Sequence, residues 1–173
     1  MPIDLYLDLR GPVSLRPLLP KAAAVLAEML GLAEVPELTL HALEGGQRVS
    51  VTSDELRDES APLFLISLAD EPETVSVNVP GKHVTLIMGA QRSNLEYALG
   101  AAIAVALARE LGVSAIGDDW RFFGDEVLVS PHELLLRLKV VGEGHGYRDA
   151  ADQLNGRLGR ESRSRTQTGE TVE

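Results

Sequence analysis

Four carboxylates and three aromatic rings crowd one short stretch of the chain. Asp118, Asp119, Asp125 and Glu126 flank Trp120, Phe122 and Phe123. Hard cations take carboxylate oxygens, but a calcium loop needs ligands at alternate positions and a closing glutamate at the twelfth, which this stretch lacks. Beside a Mg2+ or Ca2+ site of another pattern, two accounts stand. In one, Trp120 and one phenylalanine plug the core while the carboxylates are solvated. In the other, the cluster is a partner-binding surface, because only seven aromatic residues occur in the whole chain and three fall here, rimmed by like charge. Interfaces use aromatic anchors for affinity and charge for steering. The expected partner-binding residues are Asp118, Asp119, Trp120, Phe123, Asp125 and Glu126, and the expected partner is a basic protein. Asp54, Glu55, Asp58 and Glu59, together with Asp70, Glu71 and Glu73, would extend the same negative field if the fold brought them to one end.

Other chemistry leaves little trace. The absence of cysteine excludes disulfides, thiolate nucleophiles and thiolate-held metal. His41, His83, His132 and His145 show no ligand spacing, no serine lies in Gly-x-Ser-x-Gly, and neither Gly45-Gly46 nor the Gly142–Gly146 run has the setting of a phosphate loop. No cofactor and no metal are therefore expected. The enzyme alternative is a carboxylate- or metal-dependent hydrolase, with Asp118 or Asp119 holding a metal or activating water and His132 as acid or base. With 26 acidic against 16 basic residues, the formal charge is -10, which disfavours a phosphate backbone as partner. The stretch Leu95–Leu111 is bounded by Glu96, Arg109 and Glu110 and is too short for a bilayer core. No basic region and apolar run of the secretory kind opens the sequence. The expected location is the cytoplasm, with no membrane and no nucleic acid as partner.

The elements that must position these residues follow from periodicity. Ile3, Leu5, Leu7 and Leu9 alternate with Asp4, Tyr6, Asp8 and Arg10, the period of a strand with one buried face. Ser14 to Gly31 carries an apolar stripe at helical spacing, in which Pro17 and Pro20 are expected in the first turn or a lead-in. Leu38–Ala42 and Val49–Val51 form a hairpin about Glu44-Gly45-Gly46-Gln47. Asp54–Glu59 is compatible with one helical turn capped by Ser53. Strands follow at Leu63–Leu68, Thr74–Val79 and His83–Met88, and their short separators require antiparallel pairing. Ser93-Asn94-Leu95-Glu96 and Ser130-Pro131-His132-Glu133 have capping-box spacing and open two helices. The first runs to Leu111 and is apolar nearly all round. Val113–Ile116 reads as a short strand, and Leu134, Leu135, Leu138 and Val141 as the packing face of the last helix.

The resulting fold class is α+β, a mostly antiparallel sheet with helices packed on one face. Composition changes at Val141-Gly142. Residues 1–141 are expected to form a single domain, and 142–173 a polar C-terminal tail, with a brief helix-compatible piece at Ala150–Leu158 and mobility from about Gly159.

The order of an alanine-rich helix (Leu95–Leu111), a short strand ending in an acidic loop (Val113–Asp119) and a helix opening Ser130-Pro131-His132-Glu133-Leu134-Leu135 resembles the broad class of small acidic bacterial toxin-immunity proteins. That resemblance implies a non-catalytic module that occludes a basic toxin made by the same cell, and it carries over no individual residue. A third possibility is a structural subunit of a homo-oligomer or larger bacterial assembly, burying Leu95–Leu111 or a sheet edge.

Overall fold

The computed structural model describes residues 3–89, 93–119, 121–123 and 126–154. Trp120, Asp125 and the segment expected to be mobile from about Gly159 lie outside them. The strands are β1 (Ile3–Asp8), β2 (Val13–Ser14), β3 (Leu38–Glu44), β4 (Gln47–Val49), β5 (Glu55–Leu56), β6 (Leu63–Leu68), β7 (Thr74–Asn78), β8 (His83–Met88), β9 (Ile116–Asp118) and β10 (Leu128–Val129). The helices are α1 (Leu15–Leu30), α2 (Asn94–Leu111), α3 (Pro131–Leu138) and α4 (147–154).

Among the described residues, eight strands form one sheet in the order β10-β9-β1-β8-β7-β6-β3-β4, and β2 pairs with β5 beside it. Every pairing is antiparallel. The protein is α+β, with the four helices packed on that sheet. Register assigns the faces. Leu5 lies opposite Leu86, Leu86 opposite Val77, and Val77 opposite Phe64, a buried row under the helices. The next row, on the other face, runs Asp4, Ile87, Ser76, Leu65 and His41. His41 thus keeps the strand alternation.

Helix α2 is buried from Ala98 to Ala108 because it touches α1 and α3 as well as β1, β7, β8 and β9. Its alanines permit that approach, and at Gly100 a Cβ would overlap the Met88 side chain. Leu99, Ile103 and Leu107, wholly withdrawn from water, each contribute about 1.5–3 kcal/mol of hydrophobic stabilisation.

Helix α1 begins at Leu15, so Pro17 falls in the first turn but Pro20 falls inside the helix, one turn beyond expectation. That proline removes one intrahelical hydrogen bond. The N-terminus is instead held from outside, because the Arg16 N–H donates to Asp54 Oδ2 at 2.8 Å and the Leu15 N–H to the Asp54 carbonyl at 2.9 Å. A carboxylate there also meets the positive end of the helix dipole. Asp54–Glu59 accordingly forms no helical turn, since Glu55–Leu56 is committed to pairing with Val13–Ser14.

Two further expectations shift. Val113 is not in a strand; its N–H bonds Ala108 O at 3.0 Å, and Gly112 adopts a left-handed conformation, so the pair terminates α2. Strand β9 starts later, at Ile116. Val141 is 72% exposed and does not join Leu134, Leu135 and Leu138 in the core.

The change of composition at 141–142 coincides with a change of local structure, and the packed body continues past it. The Val140 N–H donates to Met29 O at 2.9 Å, the His145 N–H to Gly31 O at 2.8 Å, and the Ala33 N–H to His145 O at 3.0 Å. Ala150 and Leu154 of α4 are buried. Gln153 fastens the arch by accepting from the Val141 N–H at 3.0 Å.

Candidate functional site

Strand β9 splits the acidic cluster. Asp118 lies opposite Leu5 and so shares the helix-covered face, and it is 1% exposed. Its Oδ2 accepts the Phe123 N–H at 2.8 Å, and its carbonyl accepts the Arg121 N–H at 2.9 Å. Burial pushes the Asp118 carboxyl above the ordinary carboxylate range, and backbone N–H groups of Phe123, Phe122 and Arg121 oppose that rise. The side chain therefore closes a tight loop, in which Arg121 takes a positive φ of 51°. The expectation of Asp118 as a partner contact is corrected: it is withdrawn from the surface, its Oδ2 serves the chain's own backbone, and its Oδ1 is buried without a hydrogen-bond partner among the described residues.

Phe123 is corrected in the same way. It is 3% exposed, and its ring stands edge-on to Phe122 with centroids 5.0 Å apart, while Phe122 packs on Tyr97 of α2 at 4.6 Å. Arg137 of α3 donates to the Phe123 carbonyl at 3.0 Å, tying the loop to α3. The phenylalanine is a core plug because the loop it belongs to is drawn inward by Asp118.

Asp119 and Glu126 are exposed. Asp119 emerges on the face opposite the helices, helix-free among the described residues, where Tyr6 Oη donates to its Oδ1 at 3.1 Å. Tyr6 lies over Gly117, its cross-strand neighbour, and a Cβ at Gly117 would overlap the ring. Beside it on β1, Asp4 has its carboxyl raised above the ordinary range, first by burial and then by the charge of Asp119. Asp4 Oδ1 is buried without a hydrogen-bond partner. Further along β1, Asp8 meets His83 Nδ1 at 3.1 Å, and the His83 and Tyr6 rings stand edge to face with centroids 5.9 Å apart. Among the described residues, no lysine or arginine forms an ion pair with Asp4 or Asp119.

The remaining acidic groups divide between two ends. The β6–β7 turn carrying Asp70, Glu71 and Glu73 lies at the same end of the sheet as Asp4 and Asp119, since β1, β7 and β9 present their Ile3, Thr74 and Asp118 ends together. Asp54–Glu59 lies at the other end, by the start of α1.

Asp118, Asp119 and His132 do not converge. The two aspartates occupy opposite faces, and His132 is exposed in the first turn of α3, beyond the Ile116–Val129 end of the β9–β10 ladder. Among the described residues, no three His, Asp or Glu side chains are grouped as metal ligands, and no helix is long and apolar enough to cross a membrane.

Asp4 and Tyr6 went unnoticed as site residues in the sequence. Their signal was the alternation of β1, which places Asp4, Tyr6 and Asp8 on one face, but only strand order reveals Asp119 as their neighbour. Comparison with protein-family models, curated proteins and solved structures found no match for this chain.

Proposed function

We propose that this protein is a non-catalytic binding module whose acidic, helix-free sheet face receives a basic protein, and that it neutralises a basic toxin by covering it. The observation that carries this reading is the proximity of Asp4 on β1 to Asp119 in the turn that follows β9, on the sheet face that carries no helix among the described residues, with no lysine or arginine ion-paired to either among them. Like charges side by side cost stability; a cationic partner offsets that cost on binding. Tyr6 supplies ring area beside the carboxylates and fixes one of them. The net charge of -10 favours fast encounter with a basic surface.

The test is binding kinetics against the partner recovered by affinity capture from the native cell. Asp4→Asn with Asp119→Asn should slow association several-fold at low salt, and the difference from the parent should shrink as salt shortens the screening length to about 8 Å at physiological strength. Equal association rates at low salt would remove this face from the function. Inhibition of the captured protein's own activity by the intact module, lost with the paired variant, would support neutralisation by occlusion.

A further inference from the structure

A second acidic feature lies away from Asp119 and combines charge with a cavity. A cleft of about 450 Å3 opens where three segments meet, namely the α1–β3 connection, the β6–β7 turn and the start of α4. Main-chain bonds hold these walls in place. The Ala33 N–H donates to His145 O at 3.0 Å, Leu32 and His145 form a parallel bridge, and the Ala69 N–H donates to Glu37 O at 3.1 Å. The cavity is thus built into the fold, within the range of about 300–1,000 Å3 common for sites that take a small group.

Its lining is of two kinds. Leu32, Val35, Pro36 and Tyr147 give an apolar part of the lining, and Val35 is 63% exposed, one of the few large aliphatic side chains so placed among the described residues. Glu34, Glu37 and Asp70 bring carboxylates, all three exposed. Glu71 is near enough, with Asp70 and Glu73, to help burial push the Tyr147 hydroxyl above its ordinary range. None of Glu34, Glu37, Asp70 and Glu71 has an ion-pair partner among the described residues; Arg148, next to Tyr147, makes none with them. The His145 ring is engaged elsewhere, with Nε2 2.8 Å from the Val141 carbonyl.

We infer that this cleft is a receptor for one arginine side chain of a basic protein partner. An arginine has a long apolar stem that packs along aliphatic surface while its head stays polar. Its planar guanidinium stacks on aromatic faces and meets carboxylates with two parallel hydrogen bonds, which an ammonium cannot do. The apolar lining of Val35, Pro36 and Tyr147 and the exposed carboxylates of Glu37, Asp70 and Glu34 in the same cleft match those parts. An anionic group would meet only like charge there, and a purely apolar group would leave the carboxylates to be desolvated without compensation. The inference rests on the reading of the partner as basic, and it adds a second, pocketed contact at the same end of the sheet as Asp4 and Asp119.

The experiment is an NMR titration of the full chain, following backbone amide shifts with N-acetyl-arginine amide and, as a neutral isostere, N-acetyl-citrulline amide. Saturable shifts centred on residues 33–37, 69–71 and 145–147 are expected with the arginine probe and not with citrulline. Glu37→Gln with Asp70→Asn should weaken that binding by about five-fold or more at low salt. All substituted side chains are exposed, and the spectrum itself reports that each variant is folded. Asp119→Asn should leave cleft binding unchanged. Shifts confined to Asp4, Tyr6 and Asp119 would overturn the cleft while leaving the helix-free face standing. Shifts confined to the cleft would support the cleft and count against that face. Equal response to citrulline, or no localised response, would overturn the inference.

Discussion

Asp118 and Asp119 are bonded neighbours, and the sheet passes between them. Asp118 points under the helices, where burial raises its carboxyl and the Phe123 N–H bonds its Oδ2. Asp119 points away from them, exposed, with one hydroxyl for company. Their chemistry is identical; their roles differ because a strand alternates its side chains between faces. A run of acidic residues is therefore not one site. It is two half-runs, and the face decides which half is architecture.

The sharpest way to break this comparison is to truncate each residue in turn. Asp118→Ala strands the buried Phe123 N–H at the loop and should cost about 3 kcal/mol, whereas Asp119→Ala should cost under about 1 kcal/mol. Asp118→Asn keeps one acceptor oxygen and should fall between them. Urea unfolding of the three variants measures this, and equal losses for the two alanines would mean that the faces are not distinct.

Next in size is the glycine that separates the aspartates' supports. Gly117 lies beneath the Tyr6 ring, so Gly117→Ala forces the ring to move and should cost about 1–3 kcal/mol by overpacking. Because Tyr6 also holds Asp119, the variant should lose the Tyr6–Asp119 hydrogen bond while leaving the Asp118 loop intact. Amide exchange separates the two effects: the Phe123 N–H should remain protected. Its loss of protection together with unfolding of the loop would show that the two faces are coupled through β9.

A cap at the same end of the sheet, at the start of α2, refines the picture of buried carboxylates. Ser93 Oγ accepts the Glu96 N–H at 3.0 Å and donates to Glu73 Oε1 at 2.8 Å, while Glu73 Oε2 has no partner. Ser93→Ala removes both bonds and should cost about 1–2 kcal/mol, the upper part of the range for a lost cap. Ser130→Ala at α3, where the hydroxyl accepts the Glu133 N–H at 3.1 Å, should cost less, about 1 kcal/mol. Thermal or urea midpoints rank them, and the reverse order would deny Glu73 its part in the cap.

Much of this architecture is local and so was legible. The alternation of Ile3–Leu9, the Glu44–Gln47 turn, the short separators of β6, β7 and β8 and the serines at 93 and 130 each act through neighbours within a few residues, and their elements stand where the sequence puts them. What was illegible depends on distant partners. Asp54–Glu59 has a helical composition, but Val13–Ser14 claims its backbone and Arg16 its carboxylate. Phe123 reads equally as anchor or plug until α2 and α3 are known to lie behind it. Residues 142–154 look like tail because their apolar groups are few, yet Ala150 and Leu154 are well placed, and hydrogen bonds to the end of α1 do the rest. Sheet order, which joins Asp119 to Asp4, left no mark in composition.

The smallest expected effect probes the exposed half of the comparison directly. The Asp4 carboxyl is raised by burial and then by Asp119. A raised value in the folded state means that folding favours the protonated acid. Its stabilising contribution is complete below the unfolded value of about 3.9 and is lost as pH rises through the raised folded value. At neutral pH the ionised Asp4 is therefore a small liability, and Asp4→Asn should stabilise the protein by less than about 1 kcal/mol, a modest gain for a pair near the surface. The gain should vanish near pH 3, where the parent side chain is protonated too. Asp119→Asn should lower the Asp4 value part of the way, because it removes the second cause and leaves the first. Urea midpoints at acid and neutral pH, with carbon NMR titration of the Asp4 carboxyl in both backgrounds, provide the readout. If Asp4→Asn destabilised the protein at neutral pH, Asp4 would have a favourable partner in the free protein. Asp4 would then not be an unpaired charge that the helix-free face offers a basic partner, and Asp119 alone would be left to carry the reading.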